Sequence, residues 1–382
     1  MELTFGQEYE AFRHEIRGFL ADHWPAERRS RSREDQIVFR KVATERGYLN
    51  RAFPRRYGGS EQQSDPGRAQ IISEEFGRVR APQEAGIGVS MLAPTLLERG
   101  EQWQKEKFIS PTLSGEILWC QGYSEPGAGS DLASLRTAGI LDGDEWIVNG
   151  QKIWTTSGHM ADFMFTLVRT ERDVPPKKGI SYLLVNMHQP GVEVRPLKQI
   201  TGTAEFNEVF LTDARTPKHW IVGSRGEGWS VANTTLKHER GGVGGTSGID
   251  SQFASLVKLV QRASINGHPA IADPGIRDRL VQIQGRIEAH RYCSYFQLSR
   301  SLKGESSGRV SYMNKLNATN LGQRMAELAI DVLQDASLLD PLGGTEGERP
   351  GDERWMNQYL GSLALAIAGG TSNIQRNIIA ER

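Results

Sequence analysis

The 382-residue sequence predicts an α+β fold in which a β region lies between two helical regions. Two observations predict it. Apolar residues change from helical spacing to strand-like alternation near residue 119, and helical spacing returns after residue 229. Between these points, short apolar runs are separated by Gly, Pro and Asp, which is typical of a small barrel or sandwich. We therefore expect a helical domain over 1–118, a β-domain over 119–229 and a helical domain over 230–382.

The N-terminal region begins with an amphipathic helix over about residues 5–24, which Pro25 would end. One face carries apolar residues at helical spacing, namely Tyr9, Phe12, Ile16, Phe19 and Leu20. Helical signals continue to about residue 113 and are interrupted by a loop over 54–60.

The middle region carries a hairpin signal followed by strand-like runs. Residues 145–154 surround Asn149-Gly150, a dipeptide typical of two-residue β-turns, so we expect the hairpin to turn there. The apolar runs at 163–168, 180–185 and 206–211 predict further strands.

Helices return in the C-terminal region. Helical spacing is clear in one stretch, at Leu321, Met325, Leu328, Ala329 and Val332. The Gly- and Pro-rich segment 338–351 predicts a loop between helices.

Composition excludes several classes of protein. The chain has 46 Lys+Arg and 46 Asp+Glu, whereas nucleic-acid binding needs a concentrated excess of cations. No apolar run approaches the roughly 18 residues of a membrane span. Two cysteines, Cys120 and Cys293, cannot form a disulfide framework or a cysteine metal site. The first residues lack a signal-peptide pattern, so we expect a cytoplasmic, reduced protein without a metal.

Glycine is in excess, with 42 residues, and three of the four segments that could carry chemistry are glycine-rich. The first, Ser-Glu-Pro-Gly-Ala-Gly-Ser-Asp at 124–131, would let backbone N–H groups approach an anion or a flat ring. It matches neither a dinucleotide fingerprint nor a phosphate loop. The alternative is a plain turn.

The second segment, Lys-Ile-Trp-Thr-Thr-Ser-Gly at 152–158, places a Trp between hydroxyl groups. Such a Trp can stack on a planar heterocycle whose edge the hydroxyls bind, and the alternative is a core Trp at a strand end.

The remaining two segments lie in the C-terminal region. At 237–245, Glu239 stands at the start of a predicted helix and small residues follow it, and the alternative is a solvated helix end. At 368–376, Gly-Gly-Thr-Ser forms an anion site if a helix begins there, and the alternative is a capped turn.

In this order and on this layout, the four segments resemble the acyl-CoA dehydrogenase family over essentially the whole chain. The resemblance implies an N-terminal helical domain, a middle β-barrel or sandwich domain and a C-terminal four-helix bundle. It also implies FAD between the middle and C-terminal domains, α,β-dehydrogenation of an acyl-CoA thioester, and electron transfer to an electron-transfer flavoprotein.

The resemblance assigns site residues by position. The flavin contacts that carry over are Gln121, Tyr123, Ser124, Gly129, Ser130, Trp154, Thr155, Thr156, Thr371 and Asn373. The substrate contacts that carry over are Ser130, Lys237, His238, Arg240, Gly369 and Gly370.

One departure concerns the catalytic base. Many family members carry Glu immediately before the Gly-Thr-Ser turn, where this chain has Gly369. A branch of the family, similar to actinobacterial-type members, instead places Glu on the helix after the β-domain, directly before Arg, which Glu239-Arg240 matches. We therefore assign Glu239 as the base. The alternatives are a catalytically incomplete subunit that supports an active partner, and an oxidase or monooxygenase on the same fold.

A second departure concerns assembly. Family homotetramers present an Arg-x-x-Phe-Gly segment and a Gln-aliphatic-aromatic-Gly-Gly segment to the neighbour's FAD. Around 263–267 the first lacks its Arg and Phe, and the second is absent from 333–344. The family resemblance implies a tetramer, and these absences favour an α2β2 heterotetramer with a related subunit over a homotetramer.

Overall fold

The computed structural model describes residues 6–25, 32–242, 248–303, 305, 310–338 and 353–381. The chain packs as two compact units. The first comprises Met1–Leu197 with Glu205–His238, and the second comprises Lys198–Ala204 with Glu239–Arg382. The boundaries of the three domains expected from the sequence stay a prediction.

The first unit opens with the α-helices α1 (Gln7–His23), α2 (Arg33–Glu45), α3 (Pro66–Arg78), α4 (Ala93–Arg99) and α5 (Gln102–Ser114). The predicted first helix is confirmed as α1. Its apolar face is buried against Phe39 of α2 and Phe76 of α3, and the buried residues of α1 are Phe12, Ile16, Phe19 and Leu20. Burial of this face stabilises the helical layer.

Three arginines surround one buried carboxylate between α1 and α3. Glu75 is 2% exposed and accepts hydrogen bonds from Arg13, Arg17 and Arg78 at 2.8–3.0 Å. Burial alone would raise the pKa of Glu75, but the three arginines outweigh it and lower this pKa to about 2. The cluster therefore ties α1 to α3 through an ionised carboxylate.

We expect this carboxylate to make the protein acid-sensitive. The pKa of Glu75 is lower in the folded state than its ordinary value of 4.5, so its stabilisation is present above pH 4.5 and is lost as pH falls towards 2. Solvent screens the charges of Arg17 and Arg78, which are exposed, and this reduces the contribution of Glu75 to the free energy of unfolding. We expect that contribution to be about 2 kcal/mol. Urea unfolding at a series of pH values should show the free energy of unfolding falling between pH 4.5 and pH 2. Glu75→Gln should remove this slope. An equal slope in both proteins would contradict the assignment.

The first unit also contains a curled seven-stranded sheet. Its strands are β1 (Trp119–Gly122), β2 (Ala138–Asp142), β3 (Glu145–Thr156), β4 (Phe163–Arg169), β5 (Ile180–Asn186), β6 (Val192–Pro196) and β7 (Phe206–Pro217). They are ordered β1-β4-β2-β3-β7-β6, with β5 also paired to β4. The strands expected at 163–168, 180–185 and 206–211 are confirmed as β4, β5 and β7.

The expectation that the hairpin turns at Asn149-Gly150 is wrong. The antiparallel register of β2 with β3 leaves Gly143-Asp144 as the turn, and Gly143 has φ +60°. Asn149-Gly150 lies inside β3, whose register with β7 shifts there. A Cβ on Gly150 would lie 2.7 Å from Cα of Thr137, so glycine is required for close backbone approach rather than for a turn.

The later helices are α6 (Gly228–Gly242), α7 (Ile249–Arg262), α8 (Pro274–Leu302), α9 (Val310–Leu333), α10 (Glu353–Leu365) and α11 (Ser372–Glu381). Helices α7 to α10 pack as a four-helix bundle around a core that includes Leu256, Leu280, Met325 and Trp355. The apolar positions predicted for α9 are all buried in this core. Most of the loop expected at 338–351 lies outside the described residues.

The described residues show neither a membrane-spanning helix nor a metal-binding cluster. None of their helices is both long enough and apolar enough to cross a bilayer. The same residues contain no group of three or more His, Cys, Asp or Glu side chains arranged to hold a metal ion.

Candidate active site

The glycine-rich loop after β1 is a tight turn with an open side. Glu125 and Ala128 exchange backbone hydrogen bonds at 2.9 and 3.0 Å, which closes the turn. A Cβ on Gly127 or Gly129 would meet nothing within 4 Å, and Ser130 is exposed. The loop therefore presents backbone and a hydroxyl to open space, as ligand contact through glycine requires.

A buried ion pair lies directly behind this loop. Lys152 of β3 is 0% exposed, and its Nζ donates to Glu125 Oε1 at 2.8 Å, to the Leu167 carbonyl at 2.8 Å and to the Tyr123 carbonyl at 3.3 Å. Lysine has three N–H donors, so its capacity is filled. This ion pair between Glu125 and Lys152 was not predicted from the sequence.

The carboxylate of this pair is equally well bonded. Glu125 accepts from the backbone N–H of Arg136 at 2.7 Å and of Thr137 at 2.9 Å. Burial raises the pKa of Glu125, but Lys152 and these N–H donors outweigh it and lower the pKa below its ordinary value. Burial lowers the pKa of Lys152 to about 8, against the opposing effect of Glu125. The pair joins the loop to strands β3 and β4 and to the chain before β2.

The second predicted segment contacts the loop. The Ile153 N–H donates to the Ser124 carbonyl at 3.0 Å, which brings residues 121–130 beside residues 154–156. Trp154 has φ +60° and is 59% exposed, so the alternative of a core Trp is wrong. The Thr155 hydroxyl is fully buried and has no hydrogen-bond partner among the described residues.

The remaining predicted flavin contacts of this unit differ in exposure. Tyr123 is buried, with its ring edge-on to Phe165 and Tyr182 at centroid distances of 6.0 and 6.2 Å. Gln121 lies in β1 and is half-buried, while Thr156 ends β3 and is exposed. Tyr123 therefore helps to form the core beneath the loop.

Glu239 and Arg240 belong to the last turn of α6, so the expectation that Glu239 begins a helix is wrong. The helix begins at Gly228, because Val231, Ala232 and Thr235 already form a buried face at helical spacing. The side chains of Glu239 and Arg240 lie outside what the structure describes, as do residues 243–247.

The two residues before Glu239 are held by α4. His238 Nε2 lies 2.8 Å from a carboxylate oxygen of Glu98, and Lys237 Nζ lies 3.4 Å from the same oxygen. Both were expected to contact substrate. In the structure they anchor the end of α6 to α4 instead, and substrate contact by either side chain stays a prediction.

The fourth segment forms a turn in which two adjacent glycines are left-handed, with φ +62° at Gly369 and +96° at Gly370. The Gly370 carbonyl accepts a hydrogen bond from Lys315 Nζ of α9. The Gly369 carbonyl accepts from Gln375 Nε2 at 3.2 Å. Sequence reasoning missed Lys315 and Gln375.

A helix does begin after this turn, as the anion-site hypothesis requires. The Thr371 hydroxyl accepts from the Ile374 N–H at 3.2 Å, so it caps α11. Asn373, in the first turn of α11, accepts from Arg376 at 3.1 Å. The capped-turn alternative and the anion-site hypothesis are therefore compatible.

An arginine-lined cavity of about 440 Å³ lies beside the chain that follows the glycine-rich loop. Arg136 and Arg172 line it with exposed side chains. Arg169 also lines it, but its guanidinium donates to the carbonyls of Ala133, Leu135 and Pro176 and so shapes the wall. Planar guanidinium groups suit phosphate oxygens.

Fold and site define a class of protein. Family models of acyl-CoA dehydrogenase match over nearly the whole chain: the N-terminal domain at residues 6–116, the middle domain at 120–229 and the C-terminal domain at 226–382. The chain belongs to the acyl-CoA dehydrogenase family, and it is an oxidoreductase that acts on acyl-CoA.

Particular relatives refine this assignment. The chain is 38% identical to acyl-CoA dehydrogenase IpdE1 of Mycobacterium tuberculosis, over 98% of this chain and 97% of the relative. It is 34% identical to acyl-CoA dehydrogenase FadE34 of the same organism, over 90% of this chain but 45% of that protein. Among solved structures, the ChsE4-ChsE5 complex from Mycobacterium tuberculosis aligns with a TM-score of 0.81 at 26% identity, covering 100% of this chain and 98% of that one.

Proposed function

We propose that this chain binds FAD and converts an acyl-CoA thioester to the trans-2-enoyl-CoA, with Glu239 as the base. The observation that carries the proposal is the surface formed by the loop at 124–131 and the end of β3. It combines an exposed Trp154 ring, the buried Thr155 hydroxyl without a described partner, and the open side of Gly127 and Gly129. These features fit a flat heterocycle whose edge needs a hydrogen-bond partner.

Bound FAD supplies the acceptor for the β-hydrogen, which leaves the substrate as hydride. The chain's own residues do the rest. The Glu239 carboxylate removes the α-proton, and the electron pair of that C–H bond becomes the new α,β double bond. Backbone N–H groups of the turn that contains Gly369 and Gly370 bind the thioester oxygen as negative charge grows on it.

The arginine-lined cavity supports a CoA ester as the substrate. Coenzyme A carries phosphate groups, and Arg136 and Arg172 offer guanidinium groups at a cavity lined by the chain that follows the glycine-rich loop. Binding energy from this remote end helps to hold the acyl group against the base. Electrons would then pass to an electron-transfer flavoprotein.

A heteromeric assembly is supported by two findings. The relative FadE34 is about twice as long as the part that matches this chain, which is what a fusion of two such subunits would give. The similar solved structure is described as a complex of two partners, ChsE4 and ChsE5. We therefore propose an α2β2 tetramer with a related subunit. The second candidate function, a catalytically incomplete subunit, is favoured only by glycine at position 369.

Anaerobic mixing with acyl-CoA tests the function. We expect the purified yellow protein to lose its visible flavin band with at least one of a panel of straight, branched and steroidal CoA thioesters. The product should contain two hydrogen atoms fewer than the substrate. A yellow protein that no thioester bleaches would refute dehydrogenation. Oxygen uptake without another acceptor would instead indicate an oxidase.

Purification of the chain with and without a related subunit tests the assembly. We expect the pair to form a heterotetramer with half of the possible flavin sites occupied. A stable homotetramer that holds one FAD per chain would contradict this proposal, and a colourless chain that is active only with its partner would support the incomplete-subunit alternative.

A further inference from the structure

Two buried side chains hold adjacent carbonyl groups of the turn at Gly369 and Gly370. Lys315 of α9 is 6% exposed and donates to the Gly370 carbonyl. Gln375 of α11 is 3% exposed and donates to the Gly369 carbonyl at 3.2 Å. A lysine is almost never this buried unless it is paired, and the Gly370 carbonyl is one of its partners.

Because peptide groups are planar, each of these two hydrogen bonds also fixes the direction of one backbone N–H group. The carbonyl of one residue and the N–H of the next lie in one rigid plane and point in opposite directions. Gln375 therefore fixes the direction of the Gly370 N–H, and Lys315 fixes that of the Thr371 N–H. Neither N–H donates to any atom of the described residues.

The same bonds strengthen the two donors. A hydrogen bond to a peptide oxygen polarises that peptide and makes its N–H a better donor, and the ammonium group of Lys315 adds a charge. Each N–H group therefore points away from the side chain that holds the carbonyl of its own peptide.

We propose that Lys315 and Gln375 are positioning residues that orient and polarise the N–H groups of Gly370 and Thr371 towards the thioester oxygen. The proposal rests on the proposed function, because that function brings a thioester to this turn. Lys315 of α9 and Gln375 of α11 would thus contribute to stabilising the negative charge that develops on the thioester oxygen.

Infrared spectroscopy of a bound product tests the positioning directly. Crotonyl-CoA, isotopically labelled at its thioester carbonyl, is added to the holoenzyme, and the carbonyl stretch is compared with that in buffer. We expect a shift to lower frequency in the wild type and a smaller shift in Gln375→Met and Lys315→Met. This readout needs binding but no turnover, so it stands even if Glu239 is not the base.

Kinetics supply the second readout. We expect each variant to lower kcat about 100-fold with little change in KM, because the donors act on charge that grows in the transition state. Lys315→Arg, which keeps a cation with N–H donors, should recover part of the loss. Arg324→Met, which removes an exposed cation from the same helix, is the matched control.

The outcomes separate clearly. Gln375→Met and Lys315→Met proteins that melt like wild type, yet match Arg324→Met in both carbonyl shift and kcat, would overturn the proposal. If Lys315→Met fails to fold, Gln375→Met decides alone. A wild-type protein that shifts the carbonyl but never bleaches flavin would refute the proposed reaction and leave the positioning role supported.

Discussion

Glu239→Gln should abolish the bleaching of bound flavin by acyl-CoA without releasing FAD. Glutamine keeps the size and hydrogen-bonding capacity of the side chain but cannot accept the α-proton. A positioned general base contributes about 100- to 10,000-fold, so we expect flavin reduction to slow by that factor in anaerobic stopped-flow mixing. FAD content should be unchanged, because the surface proposed for FAD lies on the loop at 124–131 and the end of β3.

The neighbouring carboxylate provides a matched control. Glu98 lies on α4, hydrogen-bonded to His238, and its conversion to Gln removes a charge from the same region. We expect Glu98→Gln to retain nearly all of the flavin-reduction rate. Equal rates in Glu239→Gln and wild type would show that another group removes the proton.

Lys152→Met should strongly destabilise the first unit. It leaves the buried Glu125 carboxylate without its cation, and breaking a buried ion pair in this way costs about 3–5 kcal/mol. We also expect loss of FAD, because the glycine-rich loop is attached through Glu125 and through the Tyr123 carbonyl. Urea unfolding of the apoprotein and flavin content after gel filtration measure the two effects separately.

A surface ion pair of similar length serves as the control. Lys41 Nζ lies 2.6 Å from a carboxylate oxygen of Glu116, but both side chains are exposed. Lys41→Met should therefore cost less than about 1 kcal/mol. The double variant Lys152→Met/Glu125→Leu should recover part of the stability, since it removes the unpaired charge as well. Equal losses in Lys41→Met and Lys152→Met would contradict this account.

Much of the fold could be predicted because its signals are local. The apolar spacing of α1 and α9, and the runs that became β4, β5 and β7, are properties of consecutive residues. The failure at Asn149-Gly150 came from treating glycine as a turn signal, whereas the backbone of Thr137, just before β2, approaches Gly150 closely. Such an approach is a tertiary contact that the local sequence does not contain.

The site was only partly predictable for the same reason. The loop at 124–131 and the segment at 152–158 carry visible composition signals, but the supporting groups do not. Lys152 stands at an inward position of its strand, and this was the one available sign that it needs a buried carboxylate. Lys315 lies 55 residues before Gly370, with nothing in the sequence to connect them.

The left-handed backbone at Gly369 also bears on whether a glutamate could act as the base from this position. A glutamate placed there would adopt φ +62°, at a cost of about 1–2 kcal/mol for an L-residue. Gln375 holds the carbonyl of the same residue, which hinders relaxation of the turn. Gly369→Glu alone would thus supply a carboxyl group on a backbone conformation that disfavours it.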